Sequence, residues 1–265
     1  MQQNRIFGAL AARGLALGSL VQMNCPEIAE LTSAAGFDFV YIDMEHTVLG
    51  IEAVANLVRG VQAGGNAAPI VRPPDASPAH ISRLLDAGVQ GFIIPGVETA
   101  EQMAAVISAA HYGPTGTRGA CPWVRANFHG VQPWSDYAEW TKSNIFICGT
   151  VESERGFDHF DEIIATEGLS AIAIGTFDLS VAMGRAGDYN HPDVVARFED
   201  LAKRARARNL HILGSVMSHR DIPAELERLR AAGVSLVVYP GDRFLLSATL
   251  TDVVAGFSEQ LGGSS

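Results

Sequence analysis

Short apolar runs of about four to eight residues recur along the chain, each followed by a longer stretch whose apolar positions repeat at helical spacing. About eight runs can be counted: ALGSLVQM (16–23), FDFVYI (37–42), APIV (68–71), GFII (91–94), NIFICGTV (144–151), AIAIG (171–175), HILGSV (211–216) and SLVVYP (235–240). Between them the helical period appears in PEIAELTSAA, GIEAVANLVRGVQAG, PAHISRLLDAG, TAEQMAAVISAAH, FDHFDEIIATEG and DIPAELERLRAAG. Gly36, Gly88, Gly168 and Gly233 stand just past predicted helix ends, where a left-handed residue stops the helix. Unbroken apolar runs signal strands buried on both faces, the mark of parallel βα units. Eight alternations in 265 residues predict an α/β protein with a (β/α)8 TIM barrel rather than an open doubly wound sheet. No composition break marks a linker, so residues 1–265 are expected to form a single domain, with 258–265 a disordered tail.

One segment breaks the alternation. GPTGTRGACPWVRANFHGVQPWSDYAEW holds all three tryptophans and several Gly and Pro, with only a weak helical pattern near its end. It reads as a long βα loop shaping a pocket at the strand C-termini, or as an aromatic contact between copies of the chain.

Composition narrows the partners. A formal net charge of −10, with no Lys/Arg-rich run to follow a phosphate backbone, argues against nucleic acid. Cys25, Cys121 and Cys148 are odd in number and widely spaced, without zinc-site spacing, and fit reduced thiols in the cytoplasm. The N-terminus lacks a signal-type apolar core, and no segment approaches the length of a membrane span, so no membrane partner is expected.

In a barrel, residues just beyond each strand face one common mouth. Here they are Asp43, Glu45 and His46 after the second run, Arg72 after the third, Glu152 and Glu154 after the fifth and Asp178 after the sixth. Acidic oxygens from separate strands, with no Cys or His pair beside them, suit a hard divalent cation such as Mg2+ or Mn2+ better than zinc. Each residue also has an ordinary structural role. Asp43 or Asp178 could cap a helix, one of Glu152 and Glu154 could cap the helix starting near Phe157, His46 could pack, and Arg72 could lie at the surface. Glycines in GVQAGGNAAP and GPTGTRG lack the strand-to-helix setting of a nucleotide site.

The series FDFVYIDMEH, PIVRPPDASPAHISRLLDAGVQGFIIPGVETAEQ, YGPTGTRG, TVESERGFDHFDEI and AIGTFDLSVAMG, in this order, resembles the HpcH/HpaI aldolase/citrate lyase family over nearly the whole chain. The resemblance implies a metal-dependent pyruvate aldolase acting on 2-oxo acids and aldehydes, and a homo-oligomer, usually a hexamer with exchanged C-terminal helices. It implies Glu152 and Asp178 as ligands of Mg2+ or Mn2+, with Co2+ a third option. Arg72 falls on the arginine that holds the keto and enolate oxygen. His46, paired with the carboxylate of Asp43, falls on the base that works through a metal-bound water. Asp86 matches an acid that reaches a neighbouring subunit's site, and Glu45 is given a supporting hydrogen-bond role. Arg72, Thr150, Thr176, Phe177 and Ser215 are the expected substrate-binding positions.

Retro-aldol cleavage needs a base for the hydroxyl proton and positive charge at the oxygen where electrons settle, which these assignments supply. Lys142 and Lys203 are the chain's only lysines, so a Schiff-base mechanism has little support. The same enolate would serve a 2-oxo acid decarboxylase or an acyl-CoA lyase, and a non-catalytic oxo-acid-binding barrel is the rival from another class. Departures from the family pattern fall around the substrate. Thr150 leads the first ligand block, Thr176 stands for a proline, Phe177 crowds Asp178, and Pro122 in RGACP has no N–H to offer a substrate carboxylate.

Overall fold

Eight parallel strands close into a barrel in chain order: β1 (Ala16–Val21), β2 (Phe39–Asp43), β3 (Ala68–Arg72), β4 (Gly91–Ile94), β5 (Phe146–Val151), β6 (Ala171–Ile174), β7 (His211–Ser215) and β8 (Leu236–Tyr239). The structure is a computed structural model that describes residues 3–216 and 221–260. The helices are α1 (Arg5–Arg13), α2 (Pro26–Ala34), α3 (Ile51–Gly64), α4 (Pro78–Asp86), α5 (Ala100–Ala110), α6 (Trp134–Asn144), α7 (Glu154–Asp158), α8 (Phe160–Ile163), α9 (Thr176–Ala182), α10 (Pro192–Arg206), α11 (Ile222–Ala231) and α12 (Gly241–Gln260), with a 3-10 segment at Arg125–Gly130. All eight predicted runs become strands, and the (β/α)8 architecture stands. The predicted helix from Phe157 instead starts at Glu154 and divides at His159 into α7 and α8. Of the predicted tail, 258–260 close α12, while 261–265 lie outside the described residues.

Side-chain alternation splits the core into two layers. Phe39, Tyr41, Ala68, Ile70, Phe146, Cys148, Ala171, Ala173, Leu236 and Val238 fill the barrel interior. Val40, Ile42, Val71, Ile147, Ile172 and Val237 point outward against the helices. Gly18 makes room inside, because a Cβ there would stand 2.1 Å from the Phe39 ring. The helix α1, which sequence reading did not anticipate, closes the N-terminal end of the barrel, placing Ile6 and Ala9 in the interior cluster.

The segment 113–143 is not a βα loop. It follows α5 and precedes β5, so it lies at the N-terminal face, opposite the mouth formed by the strand C-termini. Its contacts agree. Arg125 donates to Ala87 O and Gln62 Oε1 beyond the C-terminal ends of α4 and within α3. Trp134 and Trp140 pack against Tyr137, and Tyr137 is buried. A helix followed by a strand fixes such a segment at the floor whatever its composition.

Candidate active site

Alternation also selects what each strand presents at the mouth. From Phe39 and Tyr41 the next inward position is Asp43; from Ala68 and Ile70 it is Arg72; from Phe146 and Cys148 the positions are Thr150 and Glu152. Asp43 and Arg72 are register partners across β2 and β3. Their side chains form a two-pronged ion pair, Arg72 Nε to Asp43 Oδ1 and Nη2 to Oδ2, both 2.8 Å. Gln22 Nε2 donates to Asp43 Oδ2 at 3.0 Å, and the Glu45 amide donates to Oδ1 at 3.1 Å. Asp43 is fully buried. Burial opposes its charge, but the bonds and charge of Arg72, with Gln22 and the Glu45 amide, outweigh it and hold the carboxyl below its ordinary value. Arg72 also lies over the Tyr41 ring, 5.6 Å from its centroid, and Nε is 3.1 Å from Glu45 Oε2.

The expected Asp43–His46 side-chain dyad is not formed. Both oxygens of Asp43 are taken by Arg72, Gln22 and the chain's own amides, and His46 meets them only through its backbone N–H at 3.5 Å. The imidazole is 68% exposed, and the carboxylate beside its Nε2 is Glu45 Oε2, at 3.5 Å. Proximity in sequence suggested the dyad; the strand register gives Asp43 to Arg72 instead. Glu45 touches both Arg72 and His46.

Glu152 sits two positions beyond Thr150 and accepts from the Gly96 amide at 2.9 Å. Burial pushes its carboxyl above the ordinary value, the Gly96 bond opposes this, and the nearby charges of Glu45 and Asp178 push it further up. Asp178 lies in the first turn of α9, exposed. Between the two is a cradle at Gly175, where an added Cβ would stand 3.2 Å from Asp178 Oδ2 and 3.5 Å from Glu152 Oε2. Crowded acidic oxygens around a gap, with charge repulsion to relieve, fit a hard cation. Glu152 and Asp178 would each offer one carboxylate, and among the described residues no cluster of three such ligand side chains occurs. Glu154 does not join them: it opens α7, behind the cap Ser153, whose Oγ accepts from the Gly156 amide.

A cavity of about 550 Å³ is lined by Arg72, Glu152 and Asp178 but not by Asp43, Glu45 or His46. Arg72, Thr150, Thr176, Phe177 and Ser215 line it together with Glu152 and Asp178. The Phe177 ring rests against the backbone at Gly187. Neither lysine is near: Lys142 pairs with Glu139 on α6, and Lys203 is exposed on α10. Two positions singled out from the sequence lie away from this chain's own cavity, one of them Asp86, whose expected role is in a neighbouring subunit's site. Asp86 ends α4 at the opposite face, held by Arg118 Nη2 at 2.7 Å. Pro122 lies in the segment at that same face, its carbonyl accepting from Asn127 Nδ2, so its missing N–H has no bearing on this chain's own cavity. Sequence reading missed Tyr41 and Gln22, although both stand at inward positions of apolar runs.

A model of the family described as HpcH/HpaI aldolase/citrate lyase matches residues 18–238. The chain is 36% identical over 204 residues to a 5-keto-4-deoxy-D-glucarate aldolase of Salmonella paratyphi A, covering 77% of this chain and 78% of that one. In structure it resembles an HpcH/HpaI aldolase from Desulfitobacterium hafniense, with a TM-score of 0.87 and 27% identity over 96% of both chains. A citrate synthase, SbnG, gives a TM-score of 0.81 at 26% identity, covering 96% of this chain and 97% of that one.

Proposed function

The chain belongs to the HpcH/HpaI aldolase/citrate lyase family, and from that premise we propose that it is a divalent-metal-dependent aldolase that cleaves or forms 4-hydroxy-2-oxo acids through a pyruvate enolate. The observation that carries this reading is the convergence of Glu152, Asp178 and Arg72 on one cavity. Glu152 and Asp178 would hold the cation, for which Mg2+ or Mn2+ suits an all-oxygen set. A cation bound there supplies Lewis-acid stabilisation of negative charge on a substrate oxygen.

The remaining roles belong to the chain. The fork to Asp43 uses Nε and Nη2 of Arg72, which leaves Nη1 to meet the keto oxygen and to strengthen that contact as the oxygen gains charge. Tyr41 beneath the guanidinium restricts its tilt. In cleavage, the exposed imidazole of His46, which is not among the residues lining the cavity, takes the 4-hydroxyl proton; the C3–C4 bond breaks, the aldehyde leaves, and the electron pair becomes the enolate, protonated at C3 to give pyruvate. Glu45 Oε2 stands 3.5 Å from His46 Nε2 and helps to orient the ring.

The test is purified protein with Mg2+ or Mn2+, pyruvate and a panel of aldehydes. Carbon–carbon bond formation and metal-dependent exchange of the pyruvate methyl protons into D2O are expected. Oxaloacetate decarboxylation without aldol activity would favour the decarboxylase reading, and absence of all three would leave an oxo-acid-binding barrel.

Two further expectations belong to this reading. Leu245, Leu246, Leu250, Val253, Val254 and Phe257 are exposed along α12, which supports association with other copies, as in the hexamer the resemblance implies. Cys25, Cys121 and Cys148 are unpaired, which supports a reducing, cytoplasmic setting. No helix among the described residues is long and apolar enough to cross a membrane.

A further inference from the structure

The ends of β8, β1, β2 and β3 are laced by one chain of polar contacts, and three of its members, Asp242, Arg243 and Gln22, have no part in the chemistry above. Asp242, in the first turn of α12, is buried. Its carboxylate accepts from the Gln22 amide at 3.1 and 3.0 Å, from the Met23 amide at 2.9 Å and from the Arg243 amide at 2.8 Å. Arg243 Nη2 returns to Gln22 O at 3.3 Å. Close approach makes this possible: Gly241, with φ 80, brings the start of α12 so near β1 that a Cβ there would fall 1.8 Å from Leu20 O. The backbone of Gln22 is thus fixed on both sides, and its side chain reaches Asp43 Oδ2 at 3.0 Å.

We propose that Gln22 is a positioning residue for the Asp43–Arg72 couple, kept in register by Asp242. The inference rests on Arg72 being the cation that meets the substrate oxygen. An arginine fork on a carboxylate can still pivot as a unit, and Asp43 cannot stop this by itself. Gln22 approaches Oδ2 from the β1 side while Arg72 approaches from the β3 side, so the carboxylate plane is held across three adjacent strand ends. The amide is suited to this because it donates without charge. A lysine or arginine there would compete with Arg72 for Asp43, and a carboxylate would repel it.

Two variants separate positioning from packing. Gln22→Leu removes the donor; Gln22→Glu keeps the shape but sets a like charge against Asp43. Gln22→Leu is expected to lower kcat about tenfold with little change in the metal concentration needed for half-maximal rate, and Gln22→Glu to lose more. A packing role would instead be rescued by the isosteric Glu, so a kcat of Gln22→Glu equal to or above that of Gln22→Leu overturns the proposal. Crystal structures give a readout independent of turnover: in Gln22→Leu the Asp43 carboxylate should leave the guanidinium plane and keep only one prong. An intact fork overturns the proposal. If the parent protein shows no lyase activity, the functional reading fails and the crystal geometry alone decides the role of Gln22.

Discussion

Strand β2 carries a buried aspartate at each end, and the two do different work. Asp38, just before the strand, is 1% exposed and is held by Arg5 Nε at 3.0 Å, by Arg13 and by the Leu17 amide at 2.8 Å. Both arginines come from α1 and are partly exposed, so Asp38 ties the plug helix to the barrel floor. Asp43, at the other end, is held by Arg72 and Gln22 from neighbouring strand ends, and Arg72 itself lines the cavity. The same residue type, equally buried and equally ion-paired, is structural where its partners lead to solvent and functional where they lead to a cavity. Burial and ion pairing alone do not mark a site; what the partner faces does.

That contrast breaks if substitutions at the mouth act on stability, or those at the floor on turnover. The largest effect on activity is expected from Glu152→Ala or Asp178→Ala, each lowering metal-dependent turnover about a thousandfold or more. Melting temperature should be unchanged or higher, because crowded acidic charge is relieved, and steady-state assays with thermal scans check both. Asp43→Asn and Arg72→Lys come next. Each destroys the paired fork, and turnover should fall about a hundredfold. In Asp43→Asn stability should fall less than at Asp38, because Glu45 Oε2, 3.1 Å from Arg72 Nε, remains to face the guanidinium.

The floor gives the converse. Asp38→Ala frees two arginines to water but leaves the Leu17 amide without its acceptor, which should cost about 2–3 kcal/mol. For a chain of this size that lowers the melting temperature by about 5 °C or more, with kcat within about twofold of the parent.

How much of this was readable beforehand follows from where the information lies. The eight runs and their inward alternation are local properties, so the strands and the polar residues just past them, Asp43, Arg72 and Glu152, could be collected from sequence. Pairing is not local. Asp43 and His46 stand three positions apart, yet the register of β2 on β3 delivers Arg72 to Asp43 and turns the imidazole outward. Gln22 was hidden inside the run ALGSLVQM, which in fact ends as a strand at Val21; a polar residue at an inward position of an apolar run was the available signal. The tryptophans and glycines of segment 113–143 suggest a pocket loop by composition, yet the segment lies at the floor. Its order, after a helical stretch and before a strand, already assigned it to the floor. The helix α1 is nine residues long, too short for its period to stand out, and its stability comes from the barrel it closes.

The smallest expected effect tests the floor by pH. His211, the first residue of β7, is half-buried with Nδ1 3.0 Å from Ser235 Oγ, and burial lowers its pKa below the ordinary 6.5. A histidine whose folded pKa is depressed binds its proton more readily when unfolded. Its contribution to stability is therefore fully present above pH 6.5 and is lost as pH falls through the folded value. Asp43 is depressed too, but from an ordinary value of 3.8, so its contribution is lost only at much lower pH. As pH falls below 6.5 but stays well above the carboxylate range, the floor should thus weaken while the Asp43–Arg72 pair holds, with a slope of at most about 1.4 kcal/mol per pH unit from this one group. Melting temperatures of the parent and of His211→Gln across that window check it: the parent should decline more steeply. Parallel curves would mean that His211 does not titrate differently in the folded and unfolded chain, and the pH sensitivity of the barrel would have to be sought at its mouth.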